Sequence, residues 1–169
     1  AAIVCVGILA GCGFRPLHGG SSPGSLDGAT FDMAGIVVAS VADRSGQQLH
    51  NQLLDLLTPR GRPLRPLYTL QVDLTESIQR LAVRKSEFAT RANLSATAAF
   101  SLVDRKDGVT LMHGRSLAVT SFDVLSSEFG TLTAEKDARR RAVIDVAQDI
   151  RNRIAVYFSS RRAGERRSE

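Results

Sequence analysis

The sequence predicts an α+β fold in which two helices pack on one face of a four-stranded, largely antiparallel or mixed sheet, in the order β-α-β-β-β-α. Three observations carry that prediction. Residues 68–75 and 92–102 alternate apolar and polar side chains with a period of two, as strands with one wet face do. The stretches around Leu49–Leu57 and Val143–Phe158 repeat apolar residues every three to four positions, the spacing of a helix with one buried stripe. Clusters of Gly, Pro, Ser and Asp punctuate these segments.

The chain opens on an uncharged apolar run, Ala1 to Leu9, closed by Leu9-Ala10-Gly11-Cys12. This pattern reads as a lipobox: the small residues fit a signal peptidase, and the cysteine thiol receives a diacylglyceryl group before cleavage. Cys12 is therefore expected as an acylated, palmitate-bearing N-terminus. Residues 1–11 are expected to be a partial signal peptide, because neither a Met nor a charged segment precedes Ala1. The run is too short for a transmembrane helix, which needs roughly 20 apolar residues. The competing reading is a buried N-terminal strand or helix. After cleavage one domain's length remains, and with Cys5 removed and Cys12 acylated no thiol is left for a disulfide, a metal or a nucleophile.

Residues 13–30 are rich in Gly, Pro and Ser and suit a flexible tether. The chain thus divides into a signal remnant (1–11), a lipidated tether (12–32), an α/β domain (33–160) and a basic tail (161–169). The β-branched run Ile36–Val41 predicts a first strand. A helix entry follows at Asp43–Gln48, with Ser45 as N-cap and Gln48 completing a capping box. Leu49, Leu53, Leu56 and Leu57 then share one face, and Thr58-Pro59-Arg60-Gly61-Arg62-Pro63 ends the helix. Strand two begins at Tyr68. Strand three spans Ala92–Leu102, and Asp104–Gly108 supplies a turn. Strand four runs from Thr110 to about Phe122, with Leu111, Leu117 and Val119 in phase and His113 and Arg115 interrupting. A long amphipathic helix follows, with Thr133 as cap, Glu135 and Asp137 at its positive end, and a stripe of Val143, Val146, Ala147, Ile150, Ile154, Tyr157 and Phe158. Residues 161–169, four arginines and two glutamates with no large apolar side chain, are expected to be disordered.

The formal charge is +5 and the pI about 9.9. A basic protein can serve nucleic acid, anionic lipid or an acidic partner; secretion removes nucleic acid and leaves anionic lipid ahead of a merely soluble surface. Arg80, Arg84, Lys85 and Arg91 cluster in and beside the connection between strands two and three. They could hold phosphates by charge-assisted hydrogen bonds or simply solubilise a protruding hairpin. Arg139, Arg140 and Arg141 spread around a helix and are expected to face solvent or pair with Glu135 and Asp137. His18, His50 and His113 fall in tether, helix and strand, without a nucleophile elbow or a metal-ligand pair. No catalytic residue, cofactor or metal is expected.

Three segments resemble the LptE family of lipopolysaccharide-assembly lipoproteins. Gly11-Cys12-Gly13-Phe14-Arg15-Pro16-Leu17 is similar to that family's lipobox and first mature residues. Ser45–Leu53 resembles its first helix, and Thr133–Ala142 resembles the start of its last. An aromatic is usual in the family where His18 stands. The resemblance implies a non-enzymatic outer-membrane lipoprotein that plugs and helps assemble the LptD β-barrel and contacts lipopolysaccharide on its way to the surface. It makes Arg80, Arg84, Lys85 and Arg91 candidates for lipopolysaccharide phosphates. Gly13, where an Asp retains many lipoproteins in the inner membrane, implies anchoring in the inner leaflet of the outer membrane, on the periplasmic side. The alternative is another periplasmic lipoprotein acting as a transport accessory or lipid-binding module.

Overall fold

Alternating side chains produce three long strands, and a computed structural model, describing residues 32–81 and 90–165, shows how they pair. β1 (Ile36–Val38), α1 (Asp43–Leu57), β2 (Tyr68–Leu81), β3 (Thr90–Asp104), β4 (Thr110–Val124) and α2 (Glu128–Glu165) follow in that order. The sheet order is β1-β2-β3-β4. β1 runs parallel to β2, which the α1 crossover requires, while β2–β3 and β3–β4 are antiparallel. This is the expected fold class. Both helices lie on one face of the sheet, and their stripes (Leu49, Leu53 and Leu57; Val143, Val146, Ile150, Ile154 and Phe158) meet Leu70, Leu94, Phe100 and Leu102 in a single core.

Local chemistry moves several boundaries. β1 is three residues long, half of the expected Ile36–Val41, although the Ala39 N–H still reaches the Leu70 carbonyl at 2.9 Å. α1 begins at Asp43 rather than behind Ser45. Asp43 has φ +63°, a conformation that Asp tolerates, and its Oδ1 accepts the Gly46 N–H at 2.8 Å. The Ser45–Gln48 capping box therefore does not form. α2 starts five residues before Thr133, where the Ser127 hydroxyl accepts the Gly130 N–H at 3.3 Å. Thr133 is already inside the helix and bonds back to the Phe129 carbonyl at 2.9 Å.

The other end of α2 revises the expected tail and tether. Residues 161–165 are helical, and the Arg162 guanidinium grips the Asp32 carboxylate through Nη2 at 2.7 Å and Nε at 2.9 Å. Asp32 and residues 161–165 thus belong to the folded unit, while Cys12, the remainder of the tether and residues 166–169 lie outside the described residues.

β4 has the opposite phase to that suggested by its large apolar residues. Leu117 and Val119 are 64% and 56% exposed on the open face. Its inward face carries Met112, Gly114, Ser116, Ala118, Thr120 and Phe122, opposite Leu102, Phe100, Ala98, Ala96, Leu94 and Ala92. Pairing with β3 and the approach of α2 override hydrophobicity here. α2 meets the sheet through Ala138 and Ala142, and the Thr120 hydroxyl donates to the Ala138 carbonyl at 3.0 Å. A bulge between Leu102 and Val103 leaves Leu111 without a cross-strand partner.

Gly114 faces the ring of Phe100, and a Cβ there would lie 2.8 Å from its Cζ. Gly114→Ala is expected to lower unfolding free energy by about 1–3 kcal/mol through overpacking, read from the midpoint of a urea transition at unchanged slope.

Candidate functional site

The first turns of both helices lie at the end of the sheet where β2 finishes and β3 begins, and two clefts open there on the helix-side face. One cleft, of about 490 Å³, is lined by Arg44, Ser45 and Gln48 from α1, Glu76 from β2, and Lys136, Asp137, Arg139 and Arg140 from α2. Beside it a second, of about 420 Å³, is lined by Ile78, Arg80, Phe122, Val124, Thr131 and Glu135.

The floor of the first cleft is a helix-to-sheet tie. Glu76 occupies an inward-facing position of β2, opposite Ala96, where the flanking positions hold Leu74 and Ile78. Its Oε2 accepts from Arg139 Nε at 2.8 Å, and Arg139 Nη2 donates to Glu135 at 2.8 Å. The hydrogen bond to Glu76, then that to Glu135, holds the Arg139 proton more firmly than usual, against partial burial. Glu76 Oε1 is buried without a partner among the described residues.

Cations form the rim. Arg140 and Arg141 both bind Asp137 at 3.0 Å, the helical pairing expected for this run. Hydrogen bonds from Arg140 and then Arg141 lower the Asp137 pKa below 3.8. Asp137 thus favours the fold above its unfolded pKa, and that contribution is lost as pH falls through the lower folded value. Arg44 and Lys136 are exposed, with no carboxylate partner among the described residues. Sequence reasoning missed Glu76, Arg44 and Lys136 as a group, because only tertiary packing brings α1, β2 and α2 together. The one available signal was Glu76, a charge at a position where the period of two calls for an apolar residue.

The expected hairpin cluster is split by the pleat. Arg80 pairs with Ala92 and points to the helix side, lining the second cleft. Arg91 points to the opposite face, cross-strand from Asp123. Arg84 and Lys85 lie outside the described residues. That opposite face is uncovered and mostly polar: Ser121 donates to Asn93 Oδ1 at 2.8 Å, Ser101 to Gln71 Oε1 at 3.3 Å, and Leu117 and Val119 stand beside them. His50 Nδ1 donates to the Ala39 carbonyl at 3.1 Å, tying α1 to β1, and His113 lies on β4 opposite Ser101.

Among solved structures, a Caulobacter crescentus protein assigned as a lipoprotein superposes with a TM-score of 0.65 at 20% identity, covering 79% of this chain and 97% of its own. A minor lipoprotein from Acinetobacter baumannii gives 0.55 at 20% identity, covering 73% and 94%. These likenesses establish a shared fold. No curated protein sequence matches the chain. The family model for LptE, lipopolysaccharide-assembly, matches residues 33–154, from just before β1 to the C-terminal half of α2. With that match spanning every strand, α1 and most of α2, the chain belongs to the LptE lipopolysaccharide-assembly family.

Proposed function

We propose that this chain is a non-enzymatic lipoprotein, acylated at Cys12 and anchored in the inner leaflet of the outer membrane on its periplasmic side, that plugs and helps assemble an LptD-type β-barrel and binds lipopolysaccharide in transit. The observation that carries the ligand assignment is the cleft at the hairpin end. Arg44 and Lys136 line it, exposed and without carboxylate partners among the described residues. Phosphates suit the two cations. Arg80 extends the positive surface along the helix side. Arg84, Lys85 and Arg91 complete the set of candidate ligands. The uncovered sheet face, with its rows of Thr, Ser, Gln and Asn, suits the polar wall of a barrel lumen. This reading needs no catalytic group, cofactor or metal.

Affinity purification of the chain from detergent-solubilised outer membrane should bring down a large β-barrel in equal amount; a bound small lipid without a barrel would favour the lipid-binding alternative. Intact-mass measurement of the native protein should show a diacylglyceryl and acyl increment on Cys12, and an unmodified thiol sinks the anchor.

Replacing Arg44 and Lys136 together by Ala should weaken lipopolysaccharide binding in low salt by at least about tenfold, since charge-assisted hydrogen bonds contribute roughly 1.5–3 kcal/mol each. The melting temperature should not move. Arg139→Ala should do the reverse of that pattern on stability, costing about 1–3 kcal/mol by leaving Glu76 half-buried without its donor, as a urea titration would register.

A further inference from the structure

The opposite end of the molecule carries a second basic surface of different design. Between α1 and β2 the chain reads Thr58-Pro59-Arg60-Gly61-Arg62-Pro63-Leu64-Arg65-Pro66-Leu67, with three arginines, three prolines and no carboxylate. Its ends are fixed. The Gly61 N–H returns to the Thr58 carbonyl at 2.9 Å, a turn with Pro and Gly where turns favour them, and Gly61 has φ +96°. The Leu67 N–H bonds the Gly35 carbonyl at 2.9 Å, and the Leu67 carbonyl accepts the Arg105 N–H at 2.9 Å. The loop is therefore stitched to the start of β1 and to the β3–β4 turn, with prolines limiting its backbone freedom.

What it presents is amphipathic. Leu64 is 101% exposed, and Val109 on the adjoining turn is 53% exposed. Arg60, Arg62 and Arg65 flank Leu64, exposed and without ion-pair partners among the described residues. The nearby carboxylates of Asp104 and Asp107 accept hydrogen bonds from the backbone of their own turn, at 2.8 and 3.3 Å. The position matters as much as the chemistry. Asp32, the first described residue, is clasped by Arg162 at this same end, so the chain leading back toward Cys12 joins the fold here.

We infer that the 58–67 loop is a docking tip for an anionic phospholipid leaflet, with Leu64 entering the headgroup layer and Arg60, Arg62 and Arg65 meeting phosphates. The occupant follows from charge and placement: an aliphatic side chain ringed by guanidiniums matches the boundary between acyl chains and headgroups. The assignment rests on the reading of Cys12 as the anchor, whose tether joins the domain at this end. Tether and tip would act as two attachments to one membrane, the acyl chains of Cys12 holding the protein there and the tip orienting the domain on the leaflet.

The test uses the full chain carrying Cys5→Ser, Cys12→Ser and Leu64→Cys, with an environment-sensitive fluorophore on the residue 64 thiol. On vesicles of phosphatidylethanolamine and phosphatidylglycerol the label should shift to the blue and escape an aqueous quencher. On phosphatidylcholine vesicles, or with the label moved to a Phe129→Cys site at the far end, it should stay in water. A basic side chain near an anionic surface favours binding by roughly fivefold, so Arg60→Ala, Arg62→Ala and Arg65→Ala together should weaken partition about a hundredfold. A residue 64 label that remains quenchable, or a triple variant that partitions like the parent, overturns the tip. If that happens while the native chain still captures its barrel, the plug reading stands alone. Vesicle docking without barrel capture upholds the tip and removes the plug.

Discussion

A band of small side chains, Ala96, Ala98, Gly114, Ser116 and Ala118, runs across β3 and β4 on the face that receives α2, and α2 answers with Ala138 and Ala142. Such residues let a helix sit close to a sheet, close enough for Thr120 to bond the helix backbone at Ala138. The rest of the molecule is arranged around that seat. The larger residues Ile150, Ile154 and Phe158 fill the wider space toward the other end, where Phe158 meets Tyr68 with ring centroids 5.1 Å apart. α2 starts at Glu128, five residues ahead of Thr133, and runs on to Glu165. Its two ends help to form the two charged ends of the domain.

Most of the architecture was legible because periodicity is a direct print of burial. Tyr68, Leu70 and Leu74 and the run Ala92–Leu102 announce their inward face, and the α2 stripe from Val143 to Phe158 does the same at helical spacing. β4 was misleading for a physical reason: where a helix sits close, the inner face needs small residues. The hydrophobic signal then comes from Leu117 and Val119 on the outside. Helix starts were misplaced because several side chains could cap. Asp43 won over Ser45 by accepting a strained φ, and Ser127 won over Thr133 because the core stripe already begins near Ala134 and Ala138.

The candidate site was legible only in part. A cation cluster written in consecutive residues looks like a patch, yet the pleat sends Arg80 and Arg91 to opposite faces of the sheet. Arg139, Arg140 and Arg141 look like a patch and are largely consumed by Glu76, Glu135 and Asp137. The cations that stay available, Arg44 and Lys136, are separated by many residues in sequence and meet only because α1 and α2 converge over β2. A local reading of charge overvalues runs and undervalues such convergences.

The Asp32–Arg162 clasp joins residues 130 positions apart, at the point where the described fold begins. It also makes the domain a mechanical object with a preferred direction. A pull on the chain ahead of residue 32 meets this grip, two guanidinium donors on one carboxylate oxygen, and then the three parallel pairs of β1 with β2. Tension from that side is therefore delivered into the end of α2, and through α2 into the whole core, so the helix serves as a strut as well as a lid.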